Sequence, residues 1–387
     1  MKVVPMIEAI KKNKTLFAGS VLAFILMGAG QSLLGPCVPE FRQIFGLSIA
    51  SASMIVTAQW VGALAGVVTL FFCGQKDFIK LAFGLLVAGT GLMAAQPGWP
   101  LTLLGSLAFG AGYGASLALV NSRLLESFGT SGPSMVSLVN ALFGGGAIMA
   151  PLAFVALARS STVSFALLSA GLAIPFLLAF QFATPPHHHE AVTEASAVFR
   201  PCFATLFIGA SGTAIEACLI GLGPSILVNG SFSDVTAANA LSLFFVFFLS
   251  GRIALSFAGH RFPTAPMIIA GFAGTAVLLF LASAGILPTI TYPLSGFFIG
   301  SIFPNFFVFG SSLLGKNKKT GPTLVCAALA GGVAGPLVVG QLIAHLPGLT
   351  SFLLLAAYAV VITFFASLIL RKHFRALRHN PRPEIKK

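Results

Sequence analysis

One acidic residue lies deep inside a long apolar segment of this sequence. Residues 204–227 read ATLFIGASGTAIEACLIGLGPSIL, and Glu216 falls near the middle of that segment. The segment is long and apolar enough to cross a bilayer. An ionised acid at the bilayer centre costs about 2.5–3.5 kcal/mol on insertion scales, so acids at that depth are typical of functional sites. Glu216 is therefore the first candidate for chemistry.

The residues that share a helical face with Glu216 are small and partly polar. At helical spacing they are Gly209, Gly212, Thr213 and Gly223. A stripe that faced lipid would carry Leu, Ile and Phe, so we expect Glu216 to face a helix contact or a central cavity. Burial favours the protonated form of a carboxyl, which could then load and release a proton near neutral pH. The alternative is a permanently protonated Glu that holds two helices together.

Other polar and aromatic side chains fall at membrane depth in the remaining apolar segments. Amides in hydrocarbon need partners, so each lines either a cavity or a helix contact. The candidates for solute contact are Gln31, Gln59, Trp60, Tyr113, Asn121, Asn140, Asn239 and Asn305. Both interpretations stay open for each amide, and the aromatic residues are typical of packing as well as of ligand stacking.

Two basic residues follow a later apolar segment. Arg252 lies near its end and Arg261 lies in the loop beyond it. We expect them to form a gate or a loop anchor, because Arg252 should lie about one turn away from the level of Glu216. A direct pair between Arg252 and Glu216 is the less favoured arrangement.

The sequence contains no motif of an enzyme, a cofactor site or a metal site. Its five cysteines are far apart and form no CxxC pair. The triplet at 187–189 is three consecutive His in a polar segment, where a solvated linker is favoured over a metal site. GxxxxGK[ST], HExxH and GxSxG are all missing from the sequence. We therefore expect no cofactor and no enzyme activity, with an ion gradient as the energy source.

The elements that must position these residues are membrane helices. Hydrophobic residues make up 57% of the chain and charged residues only 8%, against about 25% charged in a typical soluble protein. Apolar runs of roughly 20 residues recur without period-two alternation, which predicts helices and not a barrel. The net charge of +13 is placed in loops and tails between these runs, so it indicates membrane topology and no nucleic-acid partner.

Twelve membrane spans are predicted in this all-α chain. They cover residues 15–38, 49–73, 79–95, 100–124, 134–157, 162–183, 203–227, 236–258, 265–286, 289–313, 321–345 and 349–370. An even number of spans places both termini on one side, and most loop Lys and Arg fall on that side too. The positive-inside rule therefore predicts cytoplasmic termini in a multi-pass protein of a bacterial inner (plasma) membrane.

The chain divides into two similar halves. The GxxxG pair of Gly110 and Gly114 in the fourth span recurs as Gly296 and Gly300 in the tenth. Such internal duplication is typical of transporters that bind solute between two repeats. The predicted units are an amino-terminal six-helix bundle (1–183), a cytoplasmic linker (184–200), a carboxy-terminal six-helix bundle (201–371) and a basic cytoplasmic tail (372–387).

Three stretches resemble the major facilitator superfamily, and within it the fucose permease branch of sugar–proton symporters. They are GPCVPEFRQIFGLS (35–48), VNALFGGGAIMAP (139–151) and GTAIEACLIGLGP (212–224). The third resembles the branch's seventh-span pattern, and the resemblance puts Glu216 at its acidic position with a one-residue insertion. Gly251-Arg252 resembles the eighth-span GR of the same branch. The resemblance covers the full length and implies two six-helix bundles that give access to a central site alternately.

The sequence also departs from that branch. The acids of its first and fourth spans align with Gly35 and Leu117 here. The superfamily's signature between spans 2 and 3 is reduced to FFCGQKDFIK (71–80), with Gln75 in place of the acid. Tryptophan is scarce, which weakens a sugar-stacking site. Sugar specificity does not carry over from the resemblance.

The reading that best fits these features is a monomeric secondary transporter. We expect it to move a small polar solute, with sugars among the candidates, inward together with a proton carried by Glu216. One alternative is a proton-driven exporter of drugs or metabolites, although Ala150-Pro151 lacks the exporters' G-P-x-x-G-G continuation. Another is a facilitator without proton coupling, and a remote one is a non-transporting sensor.

Overall fold

A computed structural model describes residues 10–73, 78–182, 202–258, 262–314 and 320–379. The secondary structure of these residues is helical, with no strand among them. The helices are α1 (Lys14–Phe45), α2 (Ile49–Cys73), α3 (Ile79–Ala95), α4 (Trp99–Phe128), α5 (Gly132–Ala156), α6 (Ser161–Ala179), α7 (Phe203–Asn229), α8 (Asp234–Ala258), α9 (Thr264–Ser283), α10a (Pro288–Gly300), α10b (Ile302–Leu314), α11 (Thr320–Ile343) and α12 (Thr350–His379).

Every predicted span corresponds to a helix, with α10a and α10b forming one broken span. Within the described ranges eleven spans are long and apolar enough to cross a membrane. The twelfth, α3, is an apolar helix of 17 residues, at the short end of the lengths that cross a bilayer. Water is missing from the bilayer core, so helices are the form in which these apolar segments satisfy their own backbone.

Two helices extend beyond their predicted limits, and one predicted segment cannot be compared. The helix α12 continues to His379, past the predicted start of the basic tail at 372. The predicted linker at 184–200, with its His triplet, lies outside the described residues. The first helix also runs further than predicted, to Phe45, and ends at Gly46 with a left-handed φ of 61°. Glycine adopts this conformation without steric cost, which stops the helix there.

Close helix approaches repeat in the two halves of the chain. A Cβ atom added to Gly110 or Gly114 of α4 would collide with backbone carbonyls of α2. A Cβ added to Gly296 or Gly300 of α10a would collide in the same way with backbone carbonyls of α8. The α1–α5 contact has its counterpart in the α7–α11 contact. The two six-helix bundles are therefore built on one plan, and small residues let their helices approach closely.

The two bundles meet at one end of the molecule. We call the end where α1 begins and α12 finishes the terminal end, and the other the far end. Near the far end, Gly35 of α1 lies against backbone carbonyls of α7. Val56 of α2 fills the space beside Gly221 of α7, and Ser53 contacts Gly340 of α11. These contacts leave no room for further approach, so the far end is closed.

Toward the terminal end the bundles separate. Gly144 of α5 still meets Leu249 of α8 at mid-height. Asn140 lies one turn closer to the terminal end on the same face of α5, and it is exposed. A side chain directed at the opposite bundle is exposed only if a gap lies in front of it. The space between the bundles therefore opens at the terminal end.

Candidate functional site

Glu216 lies at the midpoint of α7, in the space between the bundles. It is half-buried, whereas its chain neighbours Ile215 and Ala217 are fully buried. Gly209 and Gly212, on the same side of the helix, lie against side chains of α10b. The predicted small-residue face is thus a helix contact, and the half-buried Glu216 lies next to it on the same helix.

A break in the tenth span frees a second polar group, the backbone carbonyl of Gly300, from its usual bond within the helix. Helix α10a ends at Gly300 and α10b begins at Ile302. In an unbroken helix the Gly300 carbonyl would accept from the residue four positions on, but that residue is Pro304, which has no N–H. The carbonyl of Gly300 instead accepts a hydrogen bond from Nε of Arg252, at 3.3 Å. Proline in the middle of the span was the sequence signal for this break.

The guanidinium of Arg252 is held on two sides. Besides the bond to Gly300, its centre lies 4.3 Å from the ring centroid of Phe248, one turn earlier on α8. A planar cation over an aromatic face is attracted by the ring's electrons. Both contacts fix the direction of the side chain, so Arg252 presents its charge from a defined position.

Arg252, Glu216 and Tyr113 form one electrostatic group. Arg252 acts on the charge of Glu216, and both act on Tyr113 of α4. The group therefore joins both bundles. Arg252 is thus closer to the level of Glu216 than the sequence analysis expected, because side chains on a helix lean toward its amino terminus. For α8 that direction leads from the terminal end to the membrane centre. Arg261, the predicted second gate residue, lies outside the described residues.

Three predicted solute contacts are buried along α1 and α2. Gln31, Gln59 and Trp60 are 6%, 1% and 5% exposed. The Nε2 of Gln59 has no hydrogen-bond partner among the described residues, and the Trp60 ring lies against Gly332 of α11. The amide nitrogen of Gln59 is thus available to a hydrogen-bond acceptor, and Trp60 lies at the junction of the bundles.

Two asparagines contact each other on the terminal side of Tyr113. Nδ2 of Asn140 donates to the Val136 carbonyl at 2.8 Å and to Oδ1 of Asn121 at 3.4 Å. Asn121 shares the face of α4 that carries Tyr113, two turns away. This pair lines the opening of the cavity.

The structure assigns the last two predicted asparagines to other places. Asn305 is buried and donates to the Ser301 carbonyl at 2.8 Å, so it holds the break in the tenth span. Asn239 is exposed on the stripe of α8 that carries Leu243 and Val246. That stripe is otherwise apolar, and Asn239 makes no contact with the described residues there that would mark it as a solute-binding group. A role for Asn239 in solute contact stays a prediction.

Two threonines were not predicted as solute contacts, although the sequence analysis placed one of them, Thr213, on the face of Glu216. The hydroxyls of Thr57 and Thr213 are buried and lack a hydrogen-bond partner within the described part of the chain. Thr57 lies on the α2 face that also carries Val56 and Trp60, which meet the other bundle. Thr213 lies one turn before Glu216. Buried hydroxyls without partners are costly, so both are suited to bind a solute or water. Their helical spacing from Trp60 and Glu216 was the available signal.

An ion pair joins the bundles at the far end. Nη1 of Arg159, after α5, lies 3.4 Å from Oδ2 of Asp234 at the start of α8. Next to it, Glu40 of α1 accepts a hydrogen bond from the backbone N–H of Ser161, at 2.7 Å. A cavity of about 120 Å3 adjoins these groups, and Asp234 and Arg42 are among its lining residues. The far end is thus closed by polar contacts in addition to the apolar contacts described above.

We expect the Arg159–Asp234 pair to contribute little to closure. Its side chains are 50% and 35% exposed, and exposed pairs are typically worth about 0–1 kcal/mol. Asp234→Asn should therefore raise the population open at the far end by at most about fivefold. Spin–spin distances across the far end would measure this shift at low and high salt. A change that is far larger, or that salt leaves unaltered, would contradict the assignment.

Comparison with known proteins identifies the family. The model of the Major Facilitator Superfamily matches residues 20–322. This chain belongs to the major facilitator superfamily. It is therefore a multi-pass membrane transporter and not an enzyme, and the predicted superfamily is confirmed. No curated protein sequence matches the chain.

Solved transporter structures share the fold of this superfamily member. A D-xylose–proton symporter is 17% identical with a TM-score of 0.75, over 91% of this chain and 96% of that one. A bacterial homologue of the human lysosomal transporter Spinster, inward-facing and unoccupied, is 14% identical with a TM-score of 0.75, over 94% and 98%. The E. coli fucose:proton symporter is 20% identical with a TM-score of 0.59, over 91% of this chain and 98% of that one. Identities this low show the fold alone.

Proposed function

We propose that this transporter is a proton-coupled symporter of a small polar solute. The observation that carries the proposal is the half-buried Glu216 at the centre of α7, within electrostatic reach of Arg252 in its own bundle and of Tyr113 in the other. A carboxyl in that position can exchange a proton with whichever side the cavity opens to. Its charge then changes the balance of forces between the bundles, which is what coupling requires.

The terminal end is proposed to be cytoplasmic. Lysines and arginines are concentrated in the loops and tails on that side, whereas Arg42 and Arg159 lie at the far end. The positive-inside rule then makes this an inward-facing state. The similarity to an inward-facing structure of a Spinster homologue supports this orientation. A bacterial inner membrane and a monomeric protein remain part of the proposal.

In this proposal, transport requires the contacts that close one end of the molecule to break while the other end closes. In the inward-facing state, solute and proton exchange with the cytoplasm past Asn121 and Asn140. Closing that end requires the far-end contacts of Gly35 and Val56 to open. Thr57 and Gln59, which carry buried polar atoms without a partner among the described residues, follow Val56 on α2 and would be uncovered by that opening. Two proteins of similar structure, a D-xylose–proton symporter and a fucose:proton symporter, support a polar solute of sugar size.

Proteoliposomes test the proposal. Solutes are first found by thermal shift of the purified protein, since a ligand that binds the folded state raises its unfolding temperature. Uptake of each hit is then measured with an acidic exterior and after a protonophore. We expect accumulation that depends on the proton gradient. Uptake that is independent of the proton gradient would show that the protein is a facilitator. Proton-driven extrusion would show that it is an exporter.

A further inference from the structure

We infer that the solute carries a carboxylate group, which binds Arg252 when Glu216 is protonated. This inference rests on the proposed proton coupling and names the chemical class of the solute. It would make the transporter an electroneutral symporter of a small organic anion and a proton. The similar structures of sugar symporters do not suggest it, and it follows from the charges in the site.

The first step of the argument is the charge balance of the cavity. Within the described residues at this depth, Glu216 carries the one carboxylate and Arg252 the one permanent cation. Together they are neutral, which suits the centre of a membrane, where an isolated charge is costly. When Glu216 takes up a proton, the negative charge that it supplies near Arg252 is lost. An anion that enters the cavity restores neutrality, so proton and anion binding favour each other.

The second step is the geometry of Arg252. Nε is bonded to the Gly300 carbonyl and the guanidinium lies over Phe248. The side chain is therefore preorganised, and less entropy is lost when it binds a ligand. A guanidinium presents a planar set of donors that matches the two oxygens of a carboxylate. Lysine in the same place would offer only a point charge.

The third step concerns other groups that could titrate near Glu216. Tyr113 of α4 lies within electrostatic reach of it. Tyr292 of α10a donates to the Leu219 carbonyl at 2.8 Å, and Tyr358 of α12 donates to Oγ of Ser211 at 2.8 Å. The described parts of α2 and α11 carry no Asp, Glu, Lys, Arg or His, and those of α1 lie at its ends. Glu216 is therefore the titratable group whose protonation changes the countercharge near Arg252.

Coupling follows from these charges. Two states of the cavity are neutral: ionised Glu216 with Arg252, and protonated Glu216 with Arg252 and a bound anion. The two mixed states carry a net charge in a low-dielectric site. If only neutral cavities cross to the other side, one anion moves with one proton. Linkage makes the effect reciprocal, so the anion raises proton affinity by the factor by which the proton raises anion affinity.

Matched pairs of neutral and anionic compounds test the inference. Purified protein is heated with glucose and glucuronate, galactose and galacturonate, and glycerol and glycerate. We expect the acid of at least one pair, and not its neutral partner, to raise the unfolding temperature, with a smaller shift as pH increases. In Glu216→Gln the shift should persist and lose its pH dependence. Stabilisation by neutral members alone, or by no acid in either protein, overturns the inference.

Variants of arginine separate the site from general charge effects. Arg252→Gln should weaken binding of the acid by about 10- to 150-fold, the range for lost hydrogen bonds to a charged group. Arg252→Lys should retain part of the affinity, and Arg42→Gln, an arginine at the far end, should retain all of it. Equal loss in Arg42→Gln and Arg252→Gln would overturn the assignment. If Arg252→Gln does not fold, the matched pairs and Glu216→Gln still decide.

Transport under a clamped membrane potential distinguishes this inference from the function on which it rests. Symport of an anion with a proton moves no net charge, so uptake should respond to a pH gradient and not to the potential. Proton-driven uptake of a neutral solute that responds to the potential overturns the anion and leaves the symporter standing. Uptake that ignores the pH gradient removes the symporter itself.

Discussion

Replacing Glu216 with glutamine is expected to abolish gradient-driven accumulation while leaving solute exchange intact. Glutamine has the shape of a protonated glutamate and cannot give up a proton. A symporter that moves one proton per solute can accumulate solute about tenfold for each pH unit of gradient, since one unit is worth 1.36 kcal/mol. In Glu216→Gln the accumulation ratio should fall to about one. Accumulation and counterflow are measured in the same proteoliposomes.

The matched control is Glu126→Gln. Glu126 lies at the terminal end of α4, exposed, with its carboxylate accepting a hydrogen bond from Ser122 at 3.2 Å. Removing its charge should leave accumulation at the wild-type level. A Glu216→Gln protein with unaltered pH dependence would show that the carboxyl is a structural group. Loss of counterflow together with accumulation would show instead that the variant no longer binds or moves solute, and it would leave the coupling role unsupported.

Replacing Gly35 with valine is expected to open the far end. Gly35 lies against the backbone carbonyls of Ile220 and Gly221, which cannot move without displacing α7. Overpacking typically costs about 1–3 kcal/mol. Here that cost falls only on the state in which the bundles touch at the far end. The population open at that end should therefore rise by roughly 5- to 150-fold, with Gly35→Ala giving a smaller shift in the same direction.

Spin labels on Ile44 and Ser231 would measure this opening. Both residues are exposed at the far end and belong to different bundles. The five native cysteines would first be replaced. The control is Gly146→Val, because a Cβ on Gly146 would strike the Ile25 carbonyl within one bundle. It should lower the unfolding temperature without changing the label distance. If Gly35→Val lowers stability and leaves the distance unchanged, the contact is a packing contact common to all states.

These two experiments address different parts of one mechanism. Glu216 would set the charge that drives the conformational equilibrium, and Gly35 forms part of the contact that the equilibrium must break. A ligand or proton shifts such an equilibrium only by its difference in affinity for the two states. The position of Glu216 next to Arg252, which lies on another helix of the same bundle, and Tyr113, which lies on the other bundle, provides a physical origin for that difference.

The amino-acid sequence by itself determined the class of protein and most of its helices. Continuous apolar runs have one stable form in a bilayer, so span limits could be predicted from local composition. The depth of Glu216 followed from counting along its segment, and the duplication of the halves followed from repeated glycine pairs. These features depend on neighbours in the chain, and a sequence contains that information directly.

Only the tertiary structure decided which side chains meet. Asn239 and Asn305 were both predicted at membrane depth, yet Asn239 is exposed whereas Asn305 is buried. Arg252 acts electrostatically on Glu216 although their segments suggested different levels. The use of the Gly300 carbonyl depends on a proline four residues later and on an arginine from another helix. Packing between segments that are distant in the chain determines which way each helix face points and which groups its side chains can contact. A helical period identifies the members of a face, and contact with other helices determines what that face binds.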